Sequence, residues 1–198
     1  MTDFEIVDSS FTAIIDAPLE TIDLPSWVFS LPDDEYQGCS PAHVAAGATT
    51  SPDGRRMSIN VEVIGGSLIV EHYVEALSEK DHLILESVSD VFAPTGRTTL
   101  RVQWELSVRA IDERQCEFTN RVRSRATDEL RTFLDRQGIP LEVFRAQRQP
   151  MSIAHNQGET AFFAKSIERA ARVQSAPAPI RSTVGPDRRA ALPSGALR

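Results

Sequence analysis

Two histidines carry the chemistry that this sequence could perform inside a cavity. His72 lies between Val70 and Val74 in an alternating segment, and His155 lies on a largely apolar stripe of helical spacing. Imidazole takes or gives a proton near neutral pH, so two of them beside one substrate could act as base and acid. We therefore predict His72 and His155 as candidate catalytic residues, with core packing as the alternative for each.

A second group of side chains could contact a bound molecule. Asn120 and Trp104 interrupt the apolar phase of two alternating segments, where a buried amide or indole N–H needs a partner. Tyr36 lies among turn residues that could form the rim of a pocket. The predicted ligand-binding residues are Tyr36, Val61, Trp104, Asn120, Met151 and Phe162. Ordinary packing is the alternative for these residues.

The sequence predicts no metal site and no organic cofactor. His72 and His155 have no carboxylate at a fixed spacing that would indicate a metal. His43 and His82 lie near the starts of strands and are predicted to be exposed. The glycines form neither a P-loop nor a dinucleotide-binding pattern.

Composition and charge narrow the class of protein. The 198 residues include 21 basic and 28 acidic side chains, for a net charge of −7. An acidic chain repels phosphate backbones, which argues against a nucleic-acid partner. No apolar run approaches the roughly 20 residues of a membrane span, and the acidic start lacks the apolar segment of a secretory signal. Cys39 and Cys116 are too few for a disulfide framework, so we predict buried thiols in a reduced cytoplasm.

Segments of period two predict the sheet that would position these side chains. They are residues 57–63, 68–75, 100–109 and 116–123. Turn signals such as Pro52-Asp53-Gly54 and Gly65-Gly66 separate such segments, which favours consecutive antiparallel hairpins. An extended run before Ala17-Pro18 adds a first strand, followed by short helical turns and a loop over 32–41. We expect the apolar phase of each strand to face the interior.

After Thr127 the apolar period becomes helical. Thr127 followed by two acids is a typical N-cap, and Gly138-Ile139-Pro140 separates a short helix from a longer one. The longer helix is predicted to reach about Val173, with a kink at Pro150. Residues 174–198 contain many Pro, Ala and Arg residues and no apolar period, which predicts a disordered tail of charge +3 beside a domain of charge −10 over 1–173.

The segment Ile15-Asp16-Ala17-Pro18-Leu19-Glu20-Thr21-Ile22 looks like the entry motif of a known superfamily. In that motif the first strand ends at Ala-Pro and a short helix begins. Together with the order of elements over about residues 4–173, it resembles the START-like, Bet v 1-like or SRPBCC superfamily. Asp23 stands where that superfamily usually has an aromatic residue. The resemblance implies an α+β helix-grip fold, with a curved antiparallel sheet of about seven strands wrapped around the C-terminal helix and a cavity between them.

The resemblance also implies that the cavity takes a mostly apolar or aromatic small molecule. One hypothesis is a cytoplasmic carrier or sensor that only binds this molecule. The other is a cofactor-independent enzyme, such as a cyclase or aromatase, a dehydratase or a retro-aldol-type lyase, acting on an aromatic or polyketide-like substrate. In that enzyme His72 and His155 would supply acid and base, and Tyr36 or Asn120 would hold an oxyanion.

Two further possibilities concern protein partners. Three arginines alternate on one predicted strand, at Arg121, Arg123 and Arg125. This pattern predicts a solvated outer face, and the alternative is a surface that binds an anionic partner. An edge strand could also pair across a two-fold axis, so a homodimer stays open.

Overall fold

Seven antiparallel strands form one sheet in the order β1-β7-β6-β5-β4-β3-β2. The computed structural model describes residues 4–175, so the predicted tail lies outside the described residues except for its first two positions. The strands are β1 Glu5–Ile15, β2 His43–Thr50, β3 Arg56–Ile64, β4 Ser67–Ser78, β5 His82–Ala93, β6 Gly96–Ala110 and β7 Cys116–Ala126. The helices are a 3-10 turn at Leu19–Thr21, then α1 Leu24–Ser30, α2 Asp33–Cys39, α3 Asp128–Gln137 and α4 Leu141–Ser175.

Local sequence signals explain where the helices begin and end. The Asp23 carboxylate accepts a hydrogen bond from the Ser26 backbone N–H (2.8 Å), so the residue that replaces the expected aromatic caps α1. Thr127 caps α3 in the same way, through a 3.0 Å bond from the Leu130 N–H. Gly138 ends α3 in a left-handed conformation with φ 65°, which glycine adopts at little cost.

The predicted loop over residues 32–41 is wrong in part, because these residues include α2. Pro32 precedes the helix, and its carbonyl accepts a bond from the Tyr36 N–H (2.9 Å). Asp33, Asp34 and Glu35 occupy the first turn, where carboxylates are favourable beside the exposed backbone N–H groups. The helix turns Tyr36 inward, and this side chain is completely buried rather than on a rim.

The long helix α4 packs on the concave face of the sheet, which confirms the predicted α+β helix-grip fold. On the side of β5 to β7 the apolar phase faces inward, as expected. The buried core there includes Leu83, Leu85, Trp104, Leu106, Phe118 and Phe163. Within residues 4–175, none of the helices has both the length and the apolar character that crossing a bilayer requires.

Strands β3 and β4 face the opposite way from the prediction. Their inner positions are Ser58, Asn60, Glu62, Ile69, Glu71 and Tyr73. Their apolar residues Val61, Val70 and Val74 lie on the outer face, where they are half-buried. A polar interior therefore covers one half of the sheet, and an apolar core covers the other.

Candidate functional site

Two histidines and two glutamates meet in the polar half of the interior. We call this set the inner cluster: His43 at the start of β2, Glu62 on β3, and His155 and Glu159 on α4. Each residue offers one nitrogen or carboxylate oxygen, and these four atoms lie within 4.8 Å of one another. His155 and Glu159 are one turn apart on the same side of the helix, so both point to the sheet.

Each histidine of the inner cluster is close to both carboxylates. His43 Nε2 lies 3.0 Å from Glu159 Oε2 and 3.7 Å from Glu62 Oε1. His155 Nε2 lies 3.1 Å from Glu62 Oε2 and 3.3 Å from Glu159 Oε2. Between 0% and 11% of each side chain is exposed, so these charges have little contact with water. Burial of this kind is costly unless the charges are paired.

Hydrogen bonds from outside orient the inner cluster. The Nδ1 of His43 lies 2.7 Å from the carbonyl oxygen of Tyr36, which can only accept, so Nδ1 carries the proton and Nε2 faces the carboxylates. The Tyr36 hydroxyl donates to Glu62 Oε1 (2.6 Å), and its ring stacks on His43 at 3.9 Å. The Asn120 side-chain amide donates to Glu159 Oε1 (3.1 Å).

A second line of contacts joins the inner cluster to the apolar core. Trp104 donates its indole N–H to the side-chain Oδ1 of Asn120 (2.8 Å), and the side-chain Nδ2 of Asn120 donates to Glu159. Both groups are buried, so each needs this partner. The prediction that Trp104 and Asn120 have partners in the interior is therefore met by these bonds.

Burial and mutual charge set the protonation states of the site. Burial raises the pKa of Glu71 well above its ordinary value, and the neighbouring Glu62 charge adds to this. Burial also opposes the charge of Glu159, but the close contacts with His155 and His43 outweigh it and lower the pKa of this carboxyl. Burial disfavours the His155 imidazolium, yet contacts with Glu159 and Glu62 prevail and raise its pKa to about 11. At neutral pH Glu71 is therefore an acid with its proton, beside a charged Glu159.

A cleft runs from the inner cluster between α4 and the sheet. The volume between its lining atoms is about 750 Å³ when the open mouth is included. Only about 60 Å³ of this volume can hold the centre of a water molecule. The cleft is therefore narrow. Its apolar wall includes Ile6, Ile69, Leu100, Val102, Val122 and Phe163. Its polar wall includes Asn60, Glu71, Tyr73 and Ser152 with part of the inner cluster.

Arg148 supplies a cation on the wall of this cleft. Its Nη1 donates to the Ile64 carbonyl (2.9 Å), and burial lowers the pKa of its guanidinium. Gly65 has φ 59°, a left-handed conformation that glycine adopts without strain, and it brings the β3–β4 turn close to the side chains of Met151 and Arg148 on α4. Among residues 4–175 no carboxylate forms an ion pair with Arg148. A half-buried cation of this kind can receive an anionic group of a ligand.

His72 and Val61 lie on the outer face of the sheet. His72 Nε2 is 3.3 Å from Asp90 Oδ2, and 40% of the His72 side chain is exposed. The expectation that His72 and His155 project into one hollow is therefore wrong, because β4 turns its other phase inward. Val61 does not line the cleft for the same reason, since β3 presents Asn60 and Glu62 to it.

Met151 and Phe162 lie on an outer groove rather than in the cleft. They are 43% and 55% exposed, and the groove also includes Cys39, Ala42 and Val63. The expectation that they face the cavity is wrong, because the stripe that contains them is split between two sides of α4. His155 lines both the groove and the cleft. Trp104 lines the cleft, whereas Tyr36 and Asn120 stand behind the inner cluster.

Sequence reasoning missed His43, Glu62, Glu71 and Glu159. His43 was expected to be exposed, but its side chain is completely buried. One signal was present in the sequence: His155 and Glu159 stand four positions apart on an otherwise apolar stripe, which places both on one helix face. The sequence around Glu62 and Glu71 contains no such signal, because the alternation in β3 and β4 is compatible with either face of the strand lying inward.

Solved structures with the same fold are similar to this chain over most of its length. The Zhui aromatase/cyclase from Streptomyces sp. R1128 has a TM-score of 0.54 at 10% identity, covering 83% of this chain and 93% of that one. The di-domain aromatase/cyclase StfQ from the steffimycin biosynthetic pathway has a TM-score of 0.52 at 11% identity, covering 86% and 51%. A START superfamily protein from Mycobacterium smegmatis has 0.49 at 13% identity, covering 84% and 97%.

The similarity to the two aromatase/cyclase structures shows that this chain has the same fold, a helix-grip fold. No protein-family model matches the sequence, and no curated protein sequence matches it. Because one fold serves many activities, the function must be argued from the cleft and its residues.

Proposed function

We propose that the chain binds one small molecule with a mostly apolar, flat body in the cleft beneath α4, as a carrier or sensor. The observation that supports this is a cleft with an apolar wall, a polar wall and the cation of Arg148. Binding sites for small molecules have this combination, in which apolar area gives affinity and a few polar groups give orientation.

The shape and charge of the cleft favour an aromatic molecule that carries an acidic group. The cleft is narrow, and Trp104 and Phe163 line it with ring centroids 5.8 Å apart. Flat rings fit such a space and gain from contact with other rings. A carboxylate or phenolate on the ligand could accept hydrogen bonds from Arg148. The buried free thiols of Cys39 and Cys116 agree with action in a reducing cytoplasm.

Native mass spectrometry of the protein from its own host, followed by titration of the released compound, tests this proposal. The variant Trp27→Phe leaves Trp104 as the sole tryptophan, and its fluorescence should change in a saturable way when an aromatic acid binds. Arg148→Gln should then weaken binding about 10-fold or more, the effect of losing a charged hydrogen bond. Arg125→Gln changes an exposed arginine on the outer face and should leave binding unchanged. Equal losses in both variants, or no saturable change with any ligand, would overturn the proposal.

A proton-transfer enzyme, of the cyclase or lyase kind, is the second candidate function. The observation that favours it is the buried Glu71 carboxyl, whose raised pKa keeps it protonated, on the wall of the cleft beside the Tyr73 hydroxyl. Buried acids of this kind can protonate or orient a bound carbonyl. Any compound that binds should be incubated with the protein and its mass followed. If Glu71→Gln keeps binding and stops the conversion, the enzyme is supported; if no compound is ever converted, only the binding proposal remains.

A further inference from the structure

We propose that the inner cluster binds one divalent transition-metal ion. This differs from what the sequence predicts, because two of its ligands come from strands with no metal spacing. The cluster combines two imidazoles and two carboxylates from three separate elements, with one donor atom of each facing a common point.

The spacing of the donor atoms fits a metal ion at their centre. Four ligands at about 2.0–2.1 Å from a tetrahedral ion stand about 3.3 Å from one another. Nε2 of His155 lies 3.1 Å from Glu62 Oε2 and 3.3 Å from Glu159 Oε2, and Nε2 of His43 lies 3.0 Å from the same Glu159 oxygen. The 3.7 Å contact of His43 is to the other Glu62 oxygen, Oε1. No two of the four donor atoms are more than 4.8 Å apart. Three of the contacts are therefore already near the spacing of a tetrahedral site, and the other donor pairs would close around the ion when it binds.

The orientation of the ligands is already set by their neighbours. A histidine that binds a metal usually donates its other ring N–H to a carbonyl or carboxylate, and ligating carboxylates are themselves hydrogen-bonded. His43 donates Nδ1–H to the Tyr36 carbonyl, Glu62 accepts from the Tyr36 hydroxyl, and Asn120 donates to the far oxygen of Glu159. Each of these contacts leaves one donor atom of the ligand directed to the centre.

His155 has close neighbours but no well-directed hydrogen bond at Nε2. This buried nitrogen lies near two carboxylate oxygens, yet neither stands where its N–H would point. A simple ion pair would align the N–H with one oxygen, because hydrogen bonds weaken steeply when bent. A nitrogen aimed between two oxygens is the arrangement expected when all three atoms bind one ion.

The charges of the inner cluster also fit a divalent ion. Two carboxylates and two neutral imidazoles sum to −2, so a divalent ion neutralises the set inside a region with little water. Within residues 4–175, none of the ion pairs joins a lysine or arginine to Glu62 or Glu159. In the absence of metal, the compensating charge must come from protonated histidine instead.

The site can be reached from solvent along one side of α4. His155 lines the outer groove as well as the cleft, so an ion entering from the groove passes this side chain first. Imidazole with carboxylate favours zinc and related first-row ions, whereas magnesium and calcium favour sites made entirely of oxygen. We therefore expect Zn²⁺ or Co²⁺ to bind in preference to Mg²⁺ or Ca²⁺.

Titration of the chelator-treated full chain with Co²⁺ tests the inference, because tetrahedral Co²⁺ absorbs visible light far more strongly than hydrated Co²⁺. We expect one Co²⁺ per chain, displaced by Zn²⁺, together with a rise in the thermal midpoint on metal addition. Glu159→Gln and His155→Gln should weaken binding by more than about 100-fold. Tyr36→Phe, which removes an orienting contact, should weaken it about 10-fold.

His82→Gln is the matched control, because His82 and Glu105 form a similar pair on the outer face, with Nε2 and Oε1 3.0 Å apart. This variant should bind Co²⁺ as the unaltered chain does. The inference is wrong if the unaltered chain fails to bind one Co²⁺ or Zn²⁺ at micromolar concentration, or if His82→Gln and His155→Gln lose binding equally. Circular dichroism of each variant confirms that it is folded. The proposed ligand can bind through Arg148 whether or not the metal does, so the two proposals fail separately.

Discussion

The two faces of the sheet carry the same kind of ion pair in opposite surroundings. On the inner face, His155 Nε2 is 3.1 Å from Glu62, and 11% and 8% of the two side chains are exposed. On the outer face, His82 Nε2 is 3.0 Å from Glu105, and the exposed fractions are 35% and 23%. The residue types and distances match, so the difference between the two pairs is their contact with water.

That difference changes what each pair can do. An exposed pair contributes little to the free energy of unfolding, because water solvates both charges when they separate. A buried pair must recover a large desolvation cost, and apolar residues of the same volume would often be as stable. The outer pair thus resembles an ordinary surface contact, whereas the inner cluster points to a role in binding.

The two pairs also differ in the charge of the groups that contact their carboxylates. Glu105 also meets Arg123 at 3.1 Å, so the outer carboxylate has a permanent cation. Apart from the two histidines of the inner cluster, the groups that hold the inner carboxylates are Tyr36 and Asn120, which are neutral. Neutral donors orient a carboxylate without cancelling its charge, so that charge remains available to a bound cation.

Removing one inner carboxylate should give the largest effect. Glu159→Ala leaves His43 and His155 without their shared partner, so we expect a loss of about 3–5 kcal/mol in the free energy of unfolding. The matched change Glu105→Ala on the outer face should cost about 1 kcal/mol or less. Urea denaturation in chelator-containing buffer measures both. Similar losses in the two variants would show that burial does not make the inner carboxylate more important for stability than the outer one.

Removing the buried neutral amide of Asn120 should give the next largest loss in the free energy of unfolding. Asn120→Leu removes the acceptor of the Trp104 indole and the donor to Glu159, so we expect a loss of about 1–3 kcal/mol. A change in Trp104 fluorescence should accompany it. Gln103→Met is the control, because Gln103 is a half-buried outer amide that bonds Arg123 and Glu86. It should cost less than about 1 kcal/mol. A cost equal to that of Asn120→Leu would contradict the comparison.

The same contrast between faces explains how far the sequence could be interpreted. The order of strands and helices follows from period and turn signals, and the Thr127 cap was predicted at the residue where it occurs. These features depend on neighbours in sequence, which the sequence itself contains. The prediction of seven strands around a long helix therefore succeeded even though the sequence has no matching family model.

The face of each strand could not be predicted so well. Alternation gives two phases but does not say which one meets the helix, and the usual rule assigns the apolar phase to the interior. The rule holds for β6, which turns Trp104 inward, and fails for β3, which turns Glu62 inward. It fails because that part of the interior is a polar site rather than a core, so His72 and Val61 were assigned to the wrong face.

Added salt should change the coupling energy of the outer ion pair more than that of the inner one, and this effect should be smaller than those of the substitutions above. At about 1 M salt the screening length is near 3 Å, so exposed charges interact weakly while buried ones are screened little. A double-mutant cycle on Arg123 and Glu105 should give a coupling of about 0.2–1 kcal/mol in dilute buffer that shrinks in concentrated salt. The coupling energy from the same kind of cycle on His155 and Glu62 should change little with salt. Equal salt sensitivity of the two couplings would contradict this contrast.

The smallest effect should come from Asp8 and Arg121 at the β1–β7 edge, where two hydrogen bonds of 3.0 and 2.8 Å join the side chains. The bond from Arg121 lowers the pKa of Asp8 below its ordinary value. A lowered carboxyl pKa stabilises the fold above the unfolded value of about 3.9 and loses that effect as the pH falls through the folded value.

Both side chains at this edge are about one-third exposed, so Asp8→Asn should cost less than about 1 kcal/mol at pH 7. The difference between the unaltered chain and Asp8→Asn should shrink below about pH 4, because the unfolded chain then takes up a proton that the folded chain resists until the pH falls through its lowered pKa. Urea denaturation at pH 7 and pH 3 measures it. A difference that stays the same at both pH values would mean that Asp8 acts through packing rather than through its charge, and the outer pair would then not behave as an ion pair.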